Sequence, residues 1–225
     1  MDKKTLVVPT SLADITLEQY KRYMDLPESL DEDSRISETI HVFTGLSRGL
    51  IRKMTLKSRN EVVRLLAKAI NTEDEPLRLT CALEGYKLGF VPNLDKMSFG
   101  EFVDLEETKY EPSNYERLMK ILYRPVIAEQ GERYEILPYD QSLDLDLDYG
   151  KMTMDCVVGA MLFFCDLGRD LLVHTMKSLK EEAEKASAQG QTSQENGVGT
   201  DASLVFLSTT LEGLMQLRKS HYISA

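Results

Sequence analysis

The sequence predicts a mainly α-helical fold with a small β-hairpin, an α+β protein, followed by a tethered C-terminal helix. Two patterns predict this class. Helix-capping motifs precede several runs with apolar residues at helical spacing, and one pair of runs alternates apolar and polar residues. The chain has 225 residues, of which 42% are hydrophobic, so one sizeable domain with its own core can form.

Helix starts in the first half of the chain are predicted by capping boxes, in which a hydroxyl residue is followed three positions later by Glu or Gln. They begin at Thr16, Ser58 and Ser98. Ser34 predicts a further N-cap, for a helix that Gly45 ends. Residues 46–54 predict a short helix between these elements.

Proline predicts two other helix boundaries. The first helix should end before Pro27, because the residue before a proline avoids helical geometry. A later helix is introduced by residues 112–114 and should end at 123–125, where Pro125 lies.

The main sheet element that the sequence predicts is a β-hairpin near 77–91. Residues 77–83 and 86–91 alternate apolar and polar side chains on either side of the turn dipeptide Glu84-Gly85. Residues 133–139 are a further strand candidate, and they are predicted to be isolated.

Composition divides the chain into a mainly helical domain over 1–187, a flexible linker over 188–202 and an amphipathic helix over 203–225. Thr153 starts the longest predicted helix, which is apolar almost all round at first and charged from Lys177. The linker is rich in Gln, Gly, Ser and Thr and has no apolar anchor. The last helix has an apolar stripe that must be buried on the domain or on a partner, and the stripe includes Leu207, Leu211 and Leu214.

The chain is acidic, with a formal net charge of −10 from 37 acidic and 27 basic residues. A polyanion is repelled by nucleic-acid phosphates and by anionic lipid, so the sequence predicts neither nucleic-acid binding nor membrane binding. The longest uncharged apolar run, 156–165, is about half of a membrane span, and the N-terminus is too short and polar for a signal peptide. We interpret one basic cluster as the solvated side of two short helices: Arg48, Arg52, Lys53, Lys57 and Arg59.

The cysteines do not predict a disulfide framework or a zinc site. Cys81, Cys156 and Cys165 are odd in number and widely spaced. We interpret them as small buried hydrophobic residues of a protein in a reducing compartment.

Catalytic motifs are not found in the sequence. No phosphate-binding loop, dinucleotide fingerprint or nucleophile elbow is present, and the three histidines are scattered. The sequence therefore predicts a protein that is not an enzyme, with no catalytic, cofactor-binding or metal-binding residues. A calcium-binding loop over 144–155 is a weaker alternative, because its glycine comes one position late and its last ligand is an aspartate.

Two stretches resemble proteins of tailed bacteriophages. They are residues 90–106, FVPNLDKMSFGEFVDLE, and residues 119–126, MKILYRPV. Residues 157–172 resemble the long helix that closes such proteins. Over roughly 15–179 the chain resembles the tail assembly chaperone group or a related tail or neck protein.

This resemblance implies a protein that binds the tape measure protein, a long apolar helical rod, during tail assembly in the host cytoplasm. A structural virion subunit of the neck, connector or tail is the alternative, and a homo-oligomer is left open. The structural alternative for Phe99 and Phe102 is that they only fix a helix to the core, and for Arg124 that it only caps the preceding helix. The residues that the resemblance and the apolar stripe offer for partner binding are Phe99, Phe102, Leu105, Tyr123, Arg124, Leu207, Leu211 and Leu214.

Overall fold

The computed structural model describes residues 6–71, 75–92, 97–108 and 112–164, together with residues 173, 177, 178 and 180. Contacts within the chain divide it into two units, residues 1–159 with Ala225 and residues 160–224. The predicted linker at 188–202 and the predicted helix at 203–225 lie outside the described residues. The predicted α+β class is confirmed, because the described part is mainly helical and has a small four-stranded antiparallel sheet.

Four helices precede the sheet: α1 (Leu17–Met24), α2 (Glu32–Thr44), α3 (Arg48–Ile51) and α4 (Leu56–Ile70). The first capping box is confirmed. The Thr16 hydroxyl accepts a hydrogen bond from the Gln19 N–H, and the Gln19 side chain accepts one from the Thr16 N–H at 2.9 Å. Gly45 ends α2 with a φ of 66°, a left-handed conformation that glycine adopts without a Cβ penalty.

Two predicted caps are wrong by three positions. The N-cap of α2 is Asp31, whose carboxylate accepts the Ser34 N–H at 2.9 Å. The N-cap of α4 is Thr55, whose hydroxyl accepts the Ser58 N–H at 3.1 Å. Each predicted cap is therefore the third helical residue, the donor that the true cap satisfies.

After the first two strands come α5 (Phe99–Glu107) and α6 (Tyr115–Leu122), and after the last two strands come α7 (Tyr139–Leu143) and α8, which begins at residue 154 and is described to residue 164. The capping box of α5 is confirmed, since the Ser98 hydroxyl accepts the Glu101 N–H at 3.2 Å and the Glu101 carboxylate accepts the Ser98 N–H at 2.5 Å. The start of α8 beside Thr153 is also as predicted. Helix α7 has no counterpart among the helices that the sequence predicted.

The sheet has the strand order β1 (Thr80–Leu83), β2 (Tyr86–Phe90), β3 (Tyr123–Gln130) and β4 (Arg133–Ile136), and every neighbouring pair is antiparallel. The predicted hairpin is confirmed as β1 and β2. These strands pair from Thr80 opposite Gly89 to Leu83 opposite Tyr86.

The helix before Pro125 ends at the near edge of the predicted range 123–125, because its C-cap is Tyr123. α6 ends at Leu122, and Tyr123 is already the first residue of β3. Pro125 has no N–H to continue a helix, but extended backbone suits it, and its carbonyl accepts the Leu137 N–H at 2.8 Å. The strand candidate at 133–139 is consequently not isolated, because β4 pairs with β3.

The turn between β1 and β2 is tied to a distant part of the chain. Glu84 and Gly85 both have positive φ, 50° and 86°, as a tight hairpin turn requires. The Glu84 carboxylate accepts hydrogen bonds from the Lys151 ammonium at 2.6 Å and from the Asp148 N–H at 3.1 Å. The hairpin is thereby held against the 3₁₀ turn at Tyr149–Lys151.

A short backbone bridge joins the start of α1 to the start of α8. The Leu17 N–H donates to the Met152 carbonyl and the Met154 N–H donates to the Ile15 carbonyl, both at 2.8 Å. All four residues are buried in the core. The bridge therefore satisfies backbone groups that have no access to water.

Candidate protein-binding site

Helix α5 presents large apolar side chains to solvent. Phe99 is 83% exposed and Val103 is 36% exposed. Residues four positions apart lie on the same side of a helix, so the two side chains belong to one face. We call Phe99 and Val103 the α5 apolar face.

The opposite side of α5 packs inward. Leu105 is 5% exposed, and Glu101 and Thr108 are also buried. The helix contacts α6, whose Leu118 and Met119 are fully buried in the core. The exposed phenylalanine is therefore carried on an anchored helix, which keeps its position defined.

A cleft of about 450 Å³ lies beside the first turn of α5. Helix α5 contributes one wall, and the start of α7 with the residues before it contributes another. The lining residues are Ser98, Glu101, Arg124, Ile136, Leu137, Pro138, Tyr139 and Asp140. The cleft combines apolar walls with a few charged groups, which is typical of a binding site.

A buried ion pair forms the floor of this cleft. Arg124 of β3 and Glu101 of α5 lie 2.8 Å apart, and each side chain is only 7% exposed. The guanidinium carbon of Arg124 is 5.8 Å from the centre of the Tyr139 ring, a cation–π distance. Within the described part of the chain, the Nε of Arg124 is buried and has no hydrogen-bond partner.

Burial lowers the pKa of Arg124, and the Glu101 carboxylate acts in the opposite direction. An arginine stays protonated in proteins because its ordinary pKa is above about 12. The cleft therefore holds one fixed positive charge, which Glu101 neutralises, and the exposed Asp140 carboxylate adds a negative charge at its edge.

A network of hydrogen bonds and ion pairs links α5, α6 and α7. The Tyr139 hydroxyl donates to Asp104 at 2.5 Å, and Arg117 pairs with Asp104 at 2.7 Å and with Glu107 at 2.9 Å. The Tyr139 hydrogen bond, together with the Arg117 guanidinium, lowers the pKa of Asp104. Burial and the Asp104 carboxylate raise the pKa of Tyr139, so this hydroxyl stays a donor at neutral pH.

The structure separates the residues predicted to bind a partner. Phe99 lies on the surface, whereas Leu105 and Tyr123 are in the core. Arg124 lies in β3 and pairs with Glu101. Phe102 belongs to α5, but its side chain is not described, and three predicted residues lie outside the described part: Leu207, Leu211 and Leu214.

Two residues of the site were missed in the sequence. Val103 is four positions after Phe99, and this spacing was a usable signal. Tyr139 is adjacent to no recognisable motif, and only the fold places it against Asp104 and Arg124.

No cluster of three or more His, Cys, Asp or Glu side chains converges within the described residues. Asp155, the last carboxylate of the weaker calcium alternative, instead lies 2.9 Å from the Arg78 guanidinium. Among the helices that the structure describes, none has the length and apolar character needed to cross a bilayer.

The fold and the site define an α+β protein with an exposed apolar helix face beside a charged cleft. Compared with known proteins, the chain matches no family model, no curated protein and no solved structure. The resemblance to tailed-phage proteins therefore stays a prediction. The exposed apolar face of α5 is the structural feature that supports a protein-binding function.

Proposed function

We propose that the chain is an assembly chaperone of the tailed-phage type, which binds an apolar helical protein such as the tape measure protein through the α5 apolar face. The observation that carries the proposal is the 83% exposure of Phe99 on a helix whose other side is anchored in the core. The family resemblance supplies the identity of the partner.

The energetics favour a binding role for this residue. Burying a phenylalanine side chain is worth about 1.5–3 kcal/mol, and an exposed one forgoes this stabilisation. Aromatic residues are also enriched among the side chains that dominate protein–protein binding energy. Phe99 and Val103 lie one helical turn apart, a spacing that suits docking against another helix.

The charges of the protein limit the classes of partner that it can bind. The chain has a net charge of −10, which disfavours nucleic acid. The two buried charges of the cleft, Arg124 and Glu101, are paired with each other, and the α5 apolar face beside them offers hydrophobic contact area. A partner with exposed apolar helix, which would aggregate in water, fits this surface.

The test is co-purification of the tape measure protein with the full chain and with two variants. Phe99→Ser removes the exposed ring, and Leu56→Ser removes a side chain that is 74% exposed at the start of α4. We expect Phe99→Ser to weaken binding by about 10-fold or more, given the value of a buried aromatic side chain. Leu56→Ser should bind as the original chain does.

Both variants alter exposed positions, so equal thermal unfolding midpoints would verify that they remain folded. Equal recovery of tape measure protein with both variants would refute the role of Phe99.

Mass spectrometry of purified particles tests whether the protein remains in the mature particle. A chaperone is absent from mature particles, whereas stoichiometric copies would identify a structural subunit and overturn the chaperone function.

A further inference from the structure

A groove of about 370 Å³ lies among helices α2, α3 and α4. Its apolar lining includes Ile51 and Met54, and three arginines also line it: Arg48, Arg52 and Arg59. All three belong to the basic cluster that the sequence showed. The structure gathers them around one concave surface, which we call the basic groove.

Two of these arginines are held in position by ion pairs. The Arg48 guanidinium donates two hydrogen bonds to the Glu38 carboxylate, at 2.6 and 2.8 Å. The Arg59 guanidinium donates to the Asp33 carboxylate at 2.9 Å, and only 18% of the Arg59 side chain is exposed. A guanidinium has five N–H donors, so each arginine keeps donors that its pair does not use. The groove therefore offers positioned donors to a further carboxylate.

Positive charge without a partner remains at the groove. Arg52, Lys53 and Lys57 are exposed, and none of them has an acidic partner among the residues that the structure describes. Arg52 lines the groove, and the two lysines follow it closely in the chain. This surface is thus locally positive on a chain whose net charge is −10. A ligand that presents several carboxylates complements it.

The same chain presents carboxylates of this kind on another surface. Leu143, the last residue of α7, is 45% exposed. Asp144 and Asp146 follow it and are exposed, and neither has an ion-pair partner within the described part of the chain. We call Leu143, Asp144 and Asp146 the acidic face. It belongs to the same unit of the chain, residues 1–159, as the basic groove.

We propose that the basic groove of one copy of this chain binds the acidic face of a second copy. Asp144 and Asp146 of the second copy pair with Arg52 and Lys53, and Leu143 adds an apolar contact. Over the described residues of a single copy, no ion pair joins the two surfaces, so their charges are available to another molecule.

The net charges of two copies repel each other, but solvent ions limit the range of this repulsion. At physiological salt the Debye length is about 8 Å, so charges farther apart than this are largely screened. The oppositely charged groups of the two surfaces meet at contact distance, where screening is weakest. Local complementarity can therefore bring together two molecules of the same net charge.

The proposed interface joins two different surfaces, so a pair of copies leaves one groove and one acidic face unused. Further copies can add to these, and the association either closes into a ring or grows as an open chain. Neither surface includes Phe99 or Val103 of the α5 apolar face. Self-association and tape measure binding can therefore fail independently.

The test is sedimentation velocity of the full chain over a range of protein concentrations. The average mass of the original chain should rise with concentration. Arg52→Glu with Lys53→Glu reverses the charge of the groove, and Asp144→Lys with Asp146→Lys reverses the acidic face. We expect each double variant alone to associate about 10-fold or more weakly, because like charges then meet at the interface.

A mixture of the two double variants should associate again. The acidic face of the first variant and the groove of the second are both unchanged, so the mixture contains one original pair of surfaces. Arg64→Glu with Lys68→Glu is the matched control, because it makes the same change in net charge at exposed positions of α4 that do not line the groove. This control should associate as the original chain does.

Salt provides a second measurement. Association should weaken as NaCl is raised from about 0.1 to 1 M, because the Debye length falls from about 10 to about 3 Å. All the substitutions are at exposed positions, and equal thermal unfolding midpoints would verify that the variants remain folded.

Three results would overturn the proposal. The first is an original chain that stays monomeric at about 1 mM, the concentration at which even weak specific association is populated. The second is a double variant of the groove or of the acidic face that associates as strongly as the control. The third is a mixture of those two variants that associates no better than either alone.

Discussion

At the scale of single residues, the Glu101–Arg124 pair shows how a buried charge constrains the molecule. Each charge lost its hydration on folding, and each is compensated mainly by the other at 2.8 Å. The Tyr139 ring adds a cation–π contact to Arg124. Removing one partner would leave the other charge buried and uncompensated.

We expect Arg124→Met to destabilise the fold by about 3–5 kcal/mol, the usual cost of breaking a buried pair from one side. Urea unfolding of the original chain and the variant measures this cost. Arg64→Ala is the matched control, because the Arg64–Glu61 pair is largely exposed, and it should cost far less stability than Arg124→Met. Equal losses in the two variants would show that burial of the pair is not what matters.

The sequence could predict individual residues of this site, but not how they lie relative to one another. The capping box placed Glu101 in the first turn of α5, and the resemblance singled out Phe99 and Arg124. It could not predict that Phe99 is exposed while Arg124 is buried, because both follow from how α5 packs against β3 and α7. Tyr139 had no local signal, since its hydroxyl bonds to Asp104 and its ring faces Arg124, both of which are distant in the sequence.

At the scale of elements, sequence patterns predicted those elements whose hydrogen bonds join residues close together in the sequence. The hairpin of β1 and β2 followed from alternation and a two-residue turn. β3 was missed because α6 passes into it without an intervening loop, so the apolar run that ends at Leu122 continues directly into the strand. Its pairing with β2 is a long-range contact that no local pattern records.

The polar link between α5 and α7 has a predicted pH dependence. The pKa of Asp104 is lowered in the fold by the Tyr139 hydrogen bond first and by Arg117 second. A carboxyl with a lowered pKa stabilises the fold above its unfolded pKa of about 3.9, and this stability is lost as the pH falls through the folded pKa. Asp104 is a third exposed, so its contribution is about 1 kcal/mol or less.

We therefore expect Asp104→Asn to be less stable than the original chain at pH 6, with the difference shrinking as the pH falls from about 5 to below 3. Urea unfolding at a series of pH values measures this. Tyr139→Phe removes the first cause of the pKa shift and should reproduce part of the effect. A stability difference that stays constant over the whole range would contradict this assignment.

At the scale of the first unit, the backbone bridge joins segments near its two ends, the start of α1 and the start of α8. The bridge lies among fully buried side chains, so local opening cannot expose it without disrupting the core. We expect the Leu17 and Met154 amides to exchange hydrogen only through global unfolding. The amide of Asp146, in the exposed segment after α7, should exchange faster by orders of magnitude.

Hydrogen exchange followed by mass spectrometry, with fragmentation to single-residue resolution, can compare these amides. If the Met154 amide exchanged as fast as that of Asp146, the bridge would not be part of the stable core. Matching protection at Leu17 and Met154 is expected because both donors belong to the same pair of hydrogen bonds.

The same bridge has a consequence for synthesis in the cell. Its two halves are separated by most of the first unit, so α1 waits for its last partners while the ribosome makes the intervening chain. At about 5–20 residues per second, this delay is on the order of ten seconds. Ile15 and Leu17 lack the cover of residues 152–154 on the nascent chain throughout that interval, which makes this segment a natural contact for ribosome-associated folding factors.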